Sequence, residues 1–174
     1  VDEALLETAA EGGPVTLRFY QWQPATLSLG YFQPAADRSM HPASAFCPLV
    51  RRSTGGGAIV HDRELTYSIV VPFSGSIAAD TQWLYDRMHV SLLSVLEAWN
   101  VRAERCSRAD TRPANEQPFL CFERRAYGDV LLGGQKIAGS AQRRRKGAVL
   151  QHGSVLLARS RAAPTGYIEP SCCS

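Results

Sequence analysis

The sequence predicts an α+β domain, with helices flanking a mostly antiparallel sheet. Three observations carry this. From Tyr127 onward strand signals follow one another as a meander, with Gly133-Gly134 as a tight turn. Val15–Tyr20 and Leu65–Val71 carry strand patterns far upstream of it. Between them Leu84, Met88, Leu92, Val95, Leu96 and Trp99 recur at spacings of three and four, which is one apolar stripe on a helix.

Taken in order, Ala4, Leu5, Leu6, Ala9 and Ala10 predict an amphipathic helix over residues 2–10, ended by Gly12-Gly13-Pro14. Val15, Leu17 and Phe19 then alternate with Thr16, Arg18 and Tyr20, a period-two strand. Pro24 separates it from a second strand, Thr26 to Gly30. Residues 33–48 have little period and predict a loop with one short helical turn. Arg51–Asp62 comes next: two arginines, three glycines, the short strand Ala58-Ile59-Val60, then a His-Asp pair. Leu65–Val71 is closed by Pro72, and Asp80 or Thr81 would cap the long helix, whose stripe should pack on the sheet. Val101–Glu104 predicts a short strand and residues 107–118 a polar loop. The meander runs through strands 128–132, 135–142 and 148–157, with Arg143–Gly147 as its second turn. The tail Arg161–Ser174 shows no period, and the chain opens at Val1 inside a helix, so both ends read as cut. One catalytic domain over 1–157 and an unassigned segment 158–174 are expected.

At 174 residues and 45% hydrophobic, the chain suits one core. A net charge of +3 without a long basic tract gives no reason to expect a nucleic-acid partner. No apolar run reaches the ~18 residues of a membrane span, so no membrane partner is expected. The five cysteines (Cys47, Cys106, Cys121, Cys172, Cys173) are irregularly spaced and form no Cys-x-x-Cys pairs. Neither a metal site nor a disulfide framework is suggested, and a reducing cytoplasm fits best.

In Arg51–Asp62, Gly55, Gly56 and Gly57 let the backbone lie directly against a ligand. No Gly-Lys-Ser/Thr follows, and the spacing does not fit Gly-x-Gly-x-x-Gly, so phosphate cradling is not the first expectation. On the residues alone a flexible turn with surface arginines stays open. His61 and Asp62 are adjacent on a strand, hence on opposite faces, so His61 is expected to position a ligand or the structure rather than form a dyad with Asp62.

A second segment, Gly134-Gln135-Lys136-Ile137-Ala138-Gly139-Ser140-Ala141-Gln142, is followed by Leu150-Gln151-His152-Gly153-Ser154-Val155-Leu156-Leu157. With Arg51–Asp62 and the flanking Asp2–Leu6, Leu17–Tyr20, Leu27–Gln33 and Glu64–Ser68, these segments resemble the biotin/lipoate A/B protein ligase family, in its lipoate-protein ligase A-like branch. The resemblance covers roughly residues 1–157 and implies that family's fold, a central mixed sheet like that of class II aminoacyl-tRNA synthetases and biotin ligases. Read by themselves, Cys121 is better explained by packing and Lys136 by a solvent-facing strand position. The resemblance instead implies a cysteine that carries an acyl group as a thioester, at Cys121, with Lys136 as its companion. A nearby ammonium favours the thiolate and can hydrogen-bond a developing oxyanion. Gly139, Ser140 and Ala141 are small residues beside Lys136, open to close approach by an acyl chain or to tight strand packing. His152 is a family feature to which no catalytic role is given. Arg143–Lys146 reads as a solvated turn, or as a basic patch that steers an acidic carrier.

The resemblance thus implies catalytic Cys121 and Lys136, and substrate contacts from Arg51, Gly55, Gly56, Gly57, His61, Gly139, Ser140 and Ala141. The activity implied is an octanoyltransferase of lipoate biosynthesis, passing octanoyl from octanoyl-acyl carrier protein to a lysine of a 2-oxoacid dehydrogenase lipoyl domain or of glycine-cleavage H protein. Such a covalent relay requires no cofactor. Three alternatives share the motifs: an ATP- and magnesium-dependent lipoate-protein ligase acting through an adenylate, an octanoyl amidotransferase between carrier proteins, and a non-catalytic acyl- or lipoyl-domain-binding module.

Overall fold

Two sheets of unequal size build the molecule, seen in a computed structural model that describes residues 1–73, 82–113, 116–145 and 147–163. The expected helix caps Asp80 and Thr81, Lys146 of the second turn, and tail residues 164–174 with Cys172 and Cys173 lie outside the described residues. Helix α1 (Asp2–Ala10) leads into β1 (Thr16–Tyr20), β2 (Thr26–Leu29), β3 (Leu49–Arg51), β4 (Ile59–His61) and β5 (Glu64–Pro72). Then follow α2 (Gln82–Ala98), β6 (Ala103–Arg105), β7 (Val130–Leu132), β8 (Gln135–Arg145) and β9 (Ala148–Leu156). The larger sheet has the order β1-β5-β9-β8-β7-β6, with every neighbouring pair antiparallel. The smaller is β3-β2-β4, and its β2–β3 pairing is parallel. This is the α+β class that the sequence predicts.

Strand alternation decides which helix covers which face. Leu150 of β9 packs with Leu6 and Ala9 of α1, together with Val70 and Ala148. Val155 lies five residues on, hence on the other face, where it meets Val130, Ile137 and Ala138 beneath Leu92, Leu93 and Leu96 of α2. The two helices therefore sandwich the sheet. The β7–β8 hairpin turns on Gly133 and Gly134, with φ of 55° and 75°, values that a side chain would oppose.

Four sequence expectations need correction. Arg143, Arg144 and Arg145 belong to β8, paired with Leu150, Val149 and Ala148 of β9, and Gly147, just before β9, takes φ 87°. The strand is prolonged because α1 lies alongside it: Arg143 and Arg145 each reach a glutamate of that helix, Glu3 and Glu7, at 2.7 Å. The α2 stripe holds only in part: Leu84, Leu92 and Leu96 face the core, joined by Leu93 and buried His89, but Val95 faces outward, and Trp99 lies beyond the helix end and is 73% exposed. In β1 the apolar set points out, with Leu17 48% and Phe19 60% exposed, because α2 packs over the opposite edge of the sheet. Residues 33–48 hold two 3₁₀ turns, Ala35–Met40 and Pro42–Ser44, where one was expected.

Leu6 closes the α1 face of the core, whereas Trp99 touches little, so the two should respond differently to truncation. Urea denaturation of Leu6→Ala should show a loss of about 2–5 kcal/mol. Trp99→Ala should change stability by no more than about 0.5 kcal/mol.

Candidate active site

The smaller sheet has two faces with different tasks. Leu27, Leu29 and Val60 join Cys47, Ala58, Phe119 and Leu120 in a hydrophobic cluster. The alternate residues Ser28, Ile59 and His61 face a cavity of about 420 Å³ between the two sheets. The larger sheet supplies the opposite wall through Thr66, Gly139, Ala141, His152 and Ser154. Asp2 at the start of α1, with Arg18 and Tyr20 of β1, closes one end. A volume of this size lies within the range of small-molecule sites.

All the sequence-selected site residues line this cavity except Gly57. Gly56 takes φ 93°, and a Cβ on Gly30 would fall 2.0 Å from the Gly56 carbonyl oxygen, so the glycine loop and the end of β2 approach as closely as backbone allows. Gly57 is small for another reason: a Cβ there would meet the Arg124 guanidinium at 2.8 Å. The loop is held by Arg52, which donates to the carbonyl oxygens of Ser28, Gly55 and Gly57 at 3.0, 2.8 and 2.6 Å. Arg51, the residue that the sequence selected, donates instead to the carbonyls of Gly30, Tyr31 and Gln33.

Cys121 opens a single 3₁₀ turn, and its N–H donates to the Ala58 carbonyl at 2.7 Å. The residue that follows the glycine loop thus clamps the cysteine segment. Lys136 Nζ lies 3.8 Å from Cys121 Sγ and 2.8 Å from Asp129 Oδ2. Asp129 is fully buried; it also receives the Tyr85 hydroxyl at 3.0 Å and the Ala126 N–H at 2.7 Å. Burial by itself would lower the Lys136 pKa, but the negative charges of a Cys121 thiolate and of Asp129 outweigh it, and the balance is upward. Lys136 therefore stays an ammonium at neutral pH, beside the sulfur. The Phe122 ring, 5.6 Å from Nζ, adds a cation–π contact.

A bulge aims this lysine. Leu131 pairs with Lys136 and Val130 with Ala138, so Ile137 is an extra residue in β8 and strict alternation breaks there. The lysine then lies against Gly139, where a Cβ would meet Lys136 Cε at 2.4 Å and Nζ at 2.7 Å. Ser140 lines the cavity beside it, but its hydroxyl is engaged by Tyr67 and by buried His89, each at 2.6 Å. Tyr67 and His89 belong to the α2 side of the sheet, so Ala141 and Gly139, not the Ser140 hydroxyl, present the small surface.

His61 finds its acid three residues on. Its Nδ1 meets Glu64 Oε1 at 2.6 Å, and Thr66 and Ser154 donate to the same oxygen at 2.6 and 2.9 Å. Trp22 stacks on the imidazole at 4.3 Å and 10°, itself fixed by its indole N–H to Thr66 at 3.0 Å. His152 sits between the Thr54 hydroxyl and Asp2 Oδ2, the latter at 3.8 Å. Sequence reading missed Asp129, Glu64, Arg52 and Trp22. His-x-x-Glu across a two-residue connection between strands was a usable signal for Glu64. Nothing local marked Asp129, which reaches Lys136 only through the hairpin.

Comparison with known proteins leads to one family. The family model described as the lipoyl protein ligase A/B catalytic domain matches residues 1–171. Proteins named octanoyltransferase LipM are similar to this chain: that of Brevibacillus brevis is 39% identical over 168 residues, covering 90% of this chain and 60% of its own length. That of Geobacillus kaustophilus is 40% identical over 169 residues, covering 90% and 59%. Among solved structures, a lipoate-protein ligase A bound with ATP superposes with a TM-score of 0.70 at 29% identity, over 91% of this chain and 60% of its own. The bipartite ligase of Thermoplasma acidophilum, described with its E2 lipoyl domain, gives 0.66 at 26% identity over 98% and 60%. The chain thus spans about 60% of the length of the relatives that it matches.

Gly139→Ala should force Lys136 off Asp129, and its destabilisation by denaturant should fall near the 1–3 kcal/mol of an overpacked site. Asp2 gives a pH test. Burial alone would raise its pKa, but His152, the Ser68 hydroxyl and Arg18 together bring it below the ordinary carboxylate value. Its contribution to stability is therefore complete above about pH 3.9, the unfolded value, and is lost as pH falls from there through the lower folded value. In acid titrations of the urea midpoint, Asp2→Asn should remove that part of the slope.

Proposed function

The chain belongs to the lipoyl protein ligase A/B catalytic domain family, and from that premise we propose that it transfers octanoyl groups through a thioester on Cys121. The donor is octanoyl-acyl carrier protein, and the acceptor is a lysine of a lipoyl domain or of glycine-cleavage H protein. The observation that carries this reading is a partly exposed cysteine 3.8 Å from a buried, carboxylate-paired lysine, on the wall of one cavity. The relatives named octanoyltransferase support it, and the neighbour described with its E2 lipoyl domain supports that class of acceptor.

In the first half-reaction Cys121, as the thiolate beside the Lys136 ammonium, attacks the donor thioester carbonyl. A new C–S bond forms, the old one breaks with its electron pair on the carrier sulfur, and the carrier leaves as a thiolate that takes its proton from water. Lys136 remains charged throughout and is placed to stabilise the oxyanion of each tetrahedral adduct. In the second half-reaction the acceptor amine displaces Cys121 and forms the amide. The scheme uses neither metal nor ATP, and a thiolate nucleophile suits a reducing cytoplasm. A second reading is favoured by the ATP-bound neighbour: activation of free lipoate as an adenylate, with Lys136 and the glycine loop against its carboxylate and phosphate.

Intact-protein mass separates the two. The full chain mixed with octanoyl-acyl carrier protein and no ATP should gain one octanoyl group, released by hydroxylamine and missing in Cys121→Ala. A folded sample that takes no octanoyl group, yet forms acyl-adenylate from free acid and ATP, would transfer the assignment to the ligase.

A further inference from the structure

Aminolysis of a thioester needs a group to take the surplus proton from nitrogen, and Lys136 is unsuited to that task. Its ammonium is paired with Asp129 at 2.8 Å, only 5% exposed, and held charged. The imidazoles on the cavity wall are those of His61 and His152. His152 has both nitrogens facing partners, Thr54 Oγ1 and Asp2 Oδ2. His61 does not. A carboxylate oxygen only accepts, so His61 Nδ1 donates to Glu64 Oε1 and the neutral ring carries its lone pair on Nε2. Nε2 has no hydrogen-bond partner among the described residues. Val60 turns into the hydrophobic cluster, and the alternation of β4 sends the His61 side chain the other way, into the cavity.

We infer that His61 Nε2 is the general base of the second half-reaction and that Glu64 positions it, an inference that rests on the Cys121 thioester reading. The neutral amine of the acceptor lysine attacks the octanoyl carbonyl and the C–N bond forms. The surplus proton on nitrogen passes to His61 Nε2. The C–S bond breaks with its electron pair on Cys121 Sγ, which leaves as a thiolate beside the Lys136 ammonium. The imidazolium then returns its proton to water, and the enzyme is restored. Three features suit the pair to this work. Glu64 Oε1 accepts from His61, Thr66 and Ser154, so two hydroxyls hold the carboxylate against the imidazole. Trp22, stacked at 4.3 Å, fixes the ring plane. Thr66, tied to Trp22 and to Glu64, joins the two supports.

The test separates the half-reactions in the full chain. Octanoyl-enzyme is formed first from octanoyl-acyl carrier protein and scored by mass; its transfer to a lipoyl domain, or to hydroxylamine, is then followed in single turnover. Hydroxylamine is largely unprotonated at neutral pH and a better nucleophile than lysine, so its attack depends less on a base. His61→Ala should slow transfer to the lipoyl-domain lysine about 100-fold or more, within the usual range for a general base, and by at least tenfold more than it slows thioester formation or hydroxylaminolysis. Added imidazole should restore part of the loss. Glu64→Gln keeps the hydrogen bond and removes the charge, so it should show the same selective loss, smaller in size. Equal slowing toward lysine and hydroxylamine, or transfer at the wild-type rate, would overturn the assignment. So would loss of thioester formation in both variants, since the pair would then serve the fold or the first step. A wild type that forms no octanoyl-enzyme would instead sink the thioester reading itself.

Discussion

A lysine that is 5% exposed keeps its charge only where an anion and good hydrogen bonds replace the water that it has lost. Here Asp129 supplies the anion, and much of the surrounding architecture follows from keeping that pair together. Asp129 is fixed from α2 by Tyr85 and from its own loop by the Ala126 N–H. Lys136 is aimed by the bulge at Ile137 and given room by the absence of a side chain at Gly139. Removing one partner would strand a buried charge, which typically costs 3–5 kcal/mol. The cation beside Cys121 is thus part of the fold's stability and not an ornament of the site.

The smaller sheet solves a different problem, that of placing a glycine-rich segment against the cysteine segment. Its inner residues Leu27, Leu29 and Val60 tie it to Phe119 and Leu120, the residues just before Cys121. Arg52 then ties three backbone carbonyls of the loop and of β2 to a single guanidinium. Glycine loop, cysteine and small sheet are consequently one mechanical unit, and the larger sheet carries Lys136, Glu64 and His152. The cavity is the seam between them.

What the sequence made legible follows from the range of each interaction. Periodicity over five or more residues found α1, β5, β9 and the β7–β8 hairpin, because alternation and helical spacing are local properties. β4 was legible as the short apolar run Ala58–Val60, whereas the three-residue β3 has no period to read, and the pairing of both with β2 is long-range. Cys121 and Lys136 were found because their motif spacing survives in one dimension, and the cavity brings them together. Arg51 was selected where Arg52 holds the loop, since two adjacent arginines differ only in which way the strand turns them. Ser140 was selected as a contact, yet its hydroxyl points into a chain on the far face. That reversal is a consequence of strand pleat and could be seen only once the register with Gly153 was known.

That far-face chain has a direction. The Gly128 carbonyl can only accept, so His89 Nδ1 donates to it at 2.7 Å. Burial lowers the His89 pKa and keeps the ring neutral, which leaves Nε2 to accept from Ser140. Ser140 must then accept from Tyr67, and Tyr67 from the Gln151 amide at 3.0 Å. Each hydroxyl proton is committed by one carbonyl at the end of the row. The segment Gly139–Ala141 is therefore pinned from behind by hydrogen bonds while its cavity side stays small. This divides the work of a single strand: one face holds it rigid, and the other leaves space beside the lysine for an acyl chain.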